Sequence, residues 1–245
     1  MPRFFVNKEN ITEDKIHIFG SDAHHIARSL RMAEGDAVTV CDSCGLEYSC
    51  TLSRIRDEEC ECTVISVEES ERESPIDITL CMAYPKGDKL EVVIQKAVEL
   101  GASRIIPFES SRCIKRPKAE KLDKQLARLA KIAEEAAKQC GRAKIPEVSA
   151  PTSFDGMLCE ATKSSLTLFC YEDESKTSIK KVLTSEKKPS SVAVIVGSEG
   201  GFSSEEAEAA KAAGAIAVTL GKRILRCETA PSFALASIAY ELELS

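Results

Sequence analysis

Two short stretches hold most of the residues that could do chemistry. The first is Gly197-Ser198-Glu199-Gly200-Gly201, with three glycines and a carboxylate. The second is "LGKRILRCETAPSFALA", residues 220–236, where Lys222, Arg223 and Arg226 surround the apolar pair Ile224-Leu225. Each follows a strand-like apolar run, "SVAVIV" or "AIAVTL", and each leads into a helix start. Strand, glycine loop and helix entry is the layout of a nucleotide site, because ligands of open α/β sheets sit beyond the carboxyl ends of strands. The plain alternative is a tight turn, which alone rarely needs three glycines. Two phosphate-binding patterns are absent. No Gly-Lys-Ser/Thr follows the first loop, and its spacing is Gly-x-x-Gly-Gly rather than G-x-G-x-x-G. Glu199 would also repel a phosphate at about 4 Å by on the order of 4 kcal/mol at an effective dielectric of 20. A nucleotide without phosphates escapes that cost, and one with a positive charge gains.

The elements that must position these loops follow from periodicity. Ser203-Ser204-Glu205-Glu206 contains Ser-x-x-Glu, a capping box that starts a helix after the first loop. Thr229 is the expected cap of the last helix, with Pro231 in its first turn. Upstream, "IDITLCMAY", "RIIPF" and "SLTLFCY" read as further strands. "KLEVVIQKAVELG" is an amphipathic helix. In "KAEKLDKQLARLAKIAEEAAKQCG", Leu122, Leu126, Leu129, Ile132 and Ala136 recur at helical spacing. Strands alternating with helices predict an α/β domain with a mostly parallel sheet covered on both faces.

The first seventy or so residues differ. Short strand-like runs with turn signals such as "DSCG" predict a small β-barrel or sandwich. "SDAHHIARSLRM" reads as one short helix capped by Ser21 or Asp22. "EESERESP", residues 68–75, is polar and ends in proline, which reads as a linker. The predicted domains are 1–72 and 73–245.

Composition bounds the setting. No apolar stretch approaches the roughly 20 residues that span a membrane, and the N-terminus lacks a signal-peptide pattern. Eleven scattered cysteines point to a reducing compartment, so the expectation is cytoplasmic. Cys41-x-x-Cys44 could pair with Cys60-x-Cys62 on zinc. The second spacing is one residue short of a zinc ribbon, and small buried thiols are the expected reading, with no metal. Net charge is −6, yet residues 112–144 hold eleven Lys or Arg against four Asp or Glu. Such a local basic patch attracts a polyanion whatever the total charge. A solvated helix face is the plainer alternative.

These motifs resemble the SPOUT methyltransferases. More narrowly, the chain is similar to the family that methylates N3 of a uridine in 16S rRNA of the small ribosomal subunit. "RFF", "AHHIARSLRMAEGD", "KGDKLEVVIQKAVELGASRIIPF", "EEAAKQCGRAKIP", "VGSEGGFSSEE" and "LGKRILRCETA" carry the resemblance across nearly the whole length. Ser198, Lys222 and Cys227 depart from the residues common there. The resemblance implies an N-terminal PUA-like RNA-binding barrel, a C-terminal trefoil-knotted domain for S-adenosyl-L-methionine, and a homodimer. The knot runs against the ordinary rule that chains do not thread loops. The cofactor carries a sulfonium and an ammonium and no phosphate, which suits Glu199. Gly197, Glu199, Gly200, Gly201, Leu220, Gly221, Ile224, Leu225 and Arg226 are then the cofactor-binding candidates. Arg226, Glu199 and Glu228 are the catalytic candidates: Arg226 would stabilise charge on the uracil oxygens, and either glutamate would orient groups or accept the proton. Arg3, Arg28, Arg31, Lys86, Arg112, Lys115, Arg116 and Lys118 would hold phosphates. A non-catalytic RNA-binding assembly factor, a methyltransferase for another RNA, and a dinucleotide-dependent oxidoreductase are the competing readings. The intact loops speak against the first, and the missing G-x-G-x-x-G against the last.

Overall fold

The computed structural model describes residues 1–114, 116, 119–185 and 188–244. By proximity the chain forms two units. One is Met1–Glu73 with Ala137–Ile145; the other is Ser74–Ala136 with Pro146–Ser245.

The first unit is built on β1 (Arg3–Phe5), β2 (Lys15–Phe19), β3 (Ala37–Cys41), β4 (Leu46–Ile55) and β5 (Glu59–Glu69). They form one sheet in the order β1-β3-β4-β5-β2. The β1–β3 pairing is parallel and the other three are antiparallel. Alternation along the strands sends Ile16, Ile18, Val38, Val40 and Leu52 into a core closed by Phe4 and Ile26. Cys50, Cys60 and Cys62 lie in that same core as small apolar groups, whereas Cys44 is exposed. In the "DSCG" turn, Asp42 Oδ1 accepts from the amides of Cys44 (2.8 Å) and Leu46 (3.0 Å).

Two local expectations are corrected in this unit. Helix α1 (Ser21–His24) begins after Gly20, with no side-chain cap, and runs on as a single π-helical turn, His25–Ser29. Asp22 lies inside the helix, past the cap position held by Gly20, and its carboxylate takes Lys138 Nζ at 3.0 Å. The stretch 68–75 is not a free tether either. Glu68 and Glu69 complete β5. The Glu73 carboxylate is held by the Arg142 guanidinium (2.7 Å) and the amides of Ala143 (2.9 Å) and Lys144 (3.0 Å).

The second unit carries β6 (Asp77–Ala83), β7 (Arg104–Glu109), β8 (Glu147–Val148), β9 (Thr152–Ser153), β10 (Leu166–Cys170), β11 (Ser191–Val196) and β12 (Ile216–Val218). The order is β12-β10-β11-β6-β7-β8, with β9 also on β7. Every pairing is parallel. Between the strands run α2 (Lys89–Glu99), α3 (Leu122–Cys140), α4 (Phe154–Ala161), α5 (Ile179–Leu183), α6 (Ser204–Ala212) and α7 (Thr229–Ile238). Strand β11 is buried from Val192 to Val196, as a strand covered on both faces must be. This is the α/β architecture that alternation predicts. Helix α3 starts at Leu122, where its apolar periodicity begins, after a 3-10 turn over Ala119–Lys121. Thr229 is the first residue of α7 rather than its cap, and Pro231 sits in the first turn, where it lacks nothing. Among the described residues no helix is long and apolar enough to cross a membrane.

Candidate active site

Register aligns the ends of three strands. Cys170, the last residue of β10, pairs with Val196 of β11 on one side and Val218 of β12 on the other. The loops that leave these ends therefore face one another. Together they line a cavity of about 560 Å³, a size suited to a nucleoside-like ligand.

The first loop is a tight turn. Gly201 N–H donates to Ser198 O at 3.0 Å, closing four residues. Two glycines are required by close approach. At Gly200 a Cβ would meet Arg112 Cβ at 2.9 Å and its carbonyl oxygen at 3.1 Å. Gly201 has φ +61°, and a Cβ there would overlap the Glu172 carboxylate. Phe202 then anchors the loop in the core, 4.6 Å from the Phe169 ring and stacked on Phe108. The predicted capping box forms: Ser203 Oγ accepts from Glu206 N–H (3.2 Å), and Glu206 Oε2 from Ser203 N–H (2.9 Å). The other Glu206 oxygen takes the Ser111 amide (2.6 Å), and Arg112 Nη1 donates to Gly200 O (3.1 Å). The segment that follows β7 is thus bolted to the glycine loop.

Every residue named for the cofactor lines the cavity: Gly197, Glu199, Gly200, Gly201, Leu220, Gly221, Ile224, Leu225 and Arg226. Ile224 is 82% exposed, so it lies at the solvent-facing rim of the cavity. The Arg226 side chain is exposed, with no hydrogen bond or ion pair among the described residues. Glu228 does not line the cavity. Its carboxylate sits behind Lys89, which joins it to the site.

Lys89 and Glu172 escaped the sequence reading. Lys89, the first residue of α2, places Nζ 3.0 Å from Glu199 Oε1 and 3.2 Å from Glu228 Oε2. The Lys86 amide also donates to Glu199, at 3.2 Å. Burial works to raise the Glu199 carboxyl. Hydrogen bonds from its own amide, Lys89 and the Lys86 amide outweigh burial and hold it below the usual range. Glu228 is lowered by its own amide, the Cys227 thiol and Lys89. Lys89 is raised by Glu199 and then Glu228. Burial, Glu228 and Glu199 push the Cys227 thiol up to about 12. Glu172 follows β10 and accepts the Phe202 amide at 3.1 Å. Both residues lie just past the carboxyl end of a strand, the rule that locates the glycine loops, and that position was their one sequence signal.

The phosphate-binding candidates divide. Arg3 is corrected: its side chain is 9% exposed and its guanidinium is committed to Glu47 at 2.8 Å, so it is not placed to hold a phosphate. Arg28 is exposed but forked onto Asp57. Arg31 is exposed. Lys86 and Arg112 are exposed beside the first glycine loop. Arg116 is exposed and 3.6 Å from Glu109. Lys115 and Lys118 lie outside the described residues.

Comparison with known proteins agrees with this geometry. Residues 72–239 match the RNA methyltransferase domain family, and residues 20–65 match the RNA methyltransferase PUA domain. The ribosomal RNA small subunit methyltransferase E of Bacillus subtilis is 37% identical, covering 100% of this chain and 98% of its own. The protein of the same name in a Synechocystis species is 32% identical over 98% of this chain and 78% of its own. A crystal structure of the Neisseria gonorrhoeae protein of that name, bound to S-adenosyl methionine, superposes with a TM-score of 0.87 at 30% identity, covering 98% and 97% of the two chains. With matches that run through both units and take in both glycine loops, the chain belongs to the ribosomal RNA small subunit methyltransferase E family of RNA methyltransferases.

Proposed function

We propose that this protein transfers the methyl group of S-adenosyl-L-methionine to N3 of a uridine in the 16S rRNA of the small ribosomal subunit. The observation that carries the reading is the cavity at the aligned ends of β10, β11 and β12. It is lined by the two glycine loops together with Glu172, Glu199, Lys89, Arg223 and Arg226, and neither loop carries a phosphate-binding Gly-Lys-Ser/Thr motif. Its residues fit the cofactor. Ser198 Oγ is buried and has no hydrogen-bond partner among the described residues, so the loop offers a hydroxyl to a ligand. Glu172, which makes no ion pair among the described residues, supplies negative charge to a cationic nucleoside. The names and bound ligand of the relatives support the same choice.

When bound, S-adenosylmethionine supplies a methyl on sulfonium; the N3–methyl bond forms as the carbon–sulfur bond breaks, and that electron pair leaves on sulfur as a neutral thioether. The protein must then favour an N3 stripped of its proton. Arg226, at the mouth of the cavity and unpaired among the described residues, would stabilise the negative charge that spreads to the uracil oxygens. The proton must leave N3 before or as the methyl arrives. Lys86, Arg112 and Arg116, with Lys115 and Lys118 in the same segment, would hold the backbone of the RNA near the site. Arg28, Arg31 and the PUA domain would add contacts of their own. The working form in this reading is a cytoplasmic homodimer.

Mass mapping of small-subunit rRNA from a strain lacking the gene tests the reading. One methylated uridine should revert to uridine and return with the gene. An unchanged rRNA would refute it.

A further inference from the structure

We propose that Lys89 is a positioning residue that ties the two glycine loops together, taking up the charge of both Glu199 and Glu228, so that neither carboxylate is the proton acceptor. The inference rests on the methyl-transfer reading of this cavity. Three separate elements meet at one ammonium. Lys89 comes from the first turn of α2, Glu199 from the loop after β11, and Glu228 from the entry to α7. Only the first two line the cavity; Glu228 stands behind.

The carboxylates are already committed. Glu199 accepts from Lys89 and from the Lys86 amide, and Glu228 accepts from Lys89 and, at 3.2 Å, from the Cys227 thiol. A carboxylate held by a fixed cation and further donors is a weaker base than a free one. An imide N–H is a far weaker acid than a carboxylic acid, so transfer to such a group runs steeply uphill. Other titratable or charged groups around the cavity are Cys170, Tyr171 and Glu172 at the end of β10, Cys227, and Arg223 and Arg226 on the second loop; Cys170 is a buried thiol, and the Tyr171 hydroxyl donates to Asp173 at 3.0 Å. Glu172 accepts the Phe202 amide. Cys227 stays a thiol, and the arginines carry no lone pair to offer. The geometry therefore leaves the imide proton to solvent. The two loops keep their spacing because one ammonium bridges two carboxylates that would otherwise face each other unpaired, leaving the trio with one net negative charge.

The test is a mutant cycle with two readouts. Lys89→Met should weaken S-adenosylmethionine binding by roughly 10- to 100-fold, the cost of stranding charged partners. Lys89→Arg should restore most of it, because a guanidinium can also bridge two carboxylates. In a Glu199→Gln/Glu228→Gln background, Lys89→Met should cost less than about threefold, since nothing is left to pair. An equal loss in both backgrounds would overturn the inference. The second readout is single-turnover methylation from about pH 6 to 9. The log rate should climb with pH in the wild type and keep that slope in Glu228→Gln and Glu199→Gln. A wild-type rate already flat across this range, with a slope appearing only when one glutamate is replaced, would make that glutamate the base. Thermal unfolding of the same variants without cofactor reads the pairing independently. A wild type that binds no S-adenosylmethionine would sink the functional reading, while coupling in the melting data would still decide whether Lys89 joins the loops.

Discussion

Gly201→Ala isolates what the first loop requires. Two of the positive-φ glycines of the second unit, Gly201 and Gly214, have different surroundings. Gly214, at φ +94°, has nothing within 4 Å of a built Cβ. Gly201, at φ +61°, would bring that Cβ within 2.6 Å of Glu172 Cδ. Alanine at either site incurs left-handed backbone strain of about 1–2 kcal/mol. At Gly201 the Glu172 carboxylate must also move, and it loses its 3.1 Å bond from the Phe202 amide. A charged hydrogen bond contributes about 1.5–3 kcal/mol, and Glu172 is exposed, so water reclaims part of it. About 1–1.5 kcal/mol remains. For a chain of this size that lowers the melting temperature by roughly 2–6 °C beyond the Gly214→Ala control. The displaced carboxylate also enters the cavity, so S-adenosylmethionine affinity should fall about tenfold for Gly201→Ala and stay unchanged for Gly214→Ala. Differential scanning fluorimetry and titration calorimetry on both variants measure this. Adding Glu172→Ala should bring the two glycine variants level. Equal melting temperatures and affinities for Gly201→Ala and Gly214→Ala would refute the reasoning.

Arg226→Ala should cut single-turnover methylation by roughly 10²–10³ with little change in cofactor affinity, and lysine should rescue poorly; normal turnover with weakened cofactor binding would move Arg226 to a binding role. Cys227, with its pKa up at about 12 and its side chain buried, should resist iodoacetamide near pH 8 while exposed Cys44 and Cys159 react, as peptide masses would show. In the first unit, burial works to raise Glu47, and bonds from Arg3 and Ser70 outweigh it and hold the carboxyl low. A depressed folded pKa stabilises above the ordinary carboxylate range and is lost as pH falls through the folded value. Glu47→Gln should therefore melt earlier than wild type near neutral pH, with the two melting curves converging below about pH 4; a gap that persists in acid would contradict the pairing.

What the amino-acid sequence determined by itself was local. The Ser203–Glu206 box acts over one helical turn, the alternation of Ile16 and Ile18 over three residues, and the apolar run from Val192 to Val196 along one strand. Glycine loops after such runs marked the site, because ligands gather where parallel strands end. Tertiary structure alone decided which charges are used. A lysine that staples two loops and a lysine that faces water look alike in sequence, and Lys89 became part of the site only because β11 lies between β10 and β6. The same holds for Arg3, which seemed free until β1 paired beside β3 and brought it to Glu47 on β4. Local rules reach a few residues along the chain; charge pairing reaches across a sheet, and strand order is what chooses the partners.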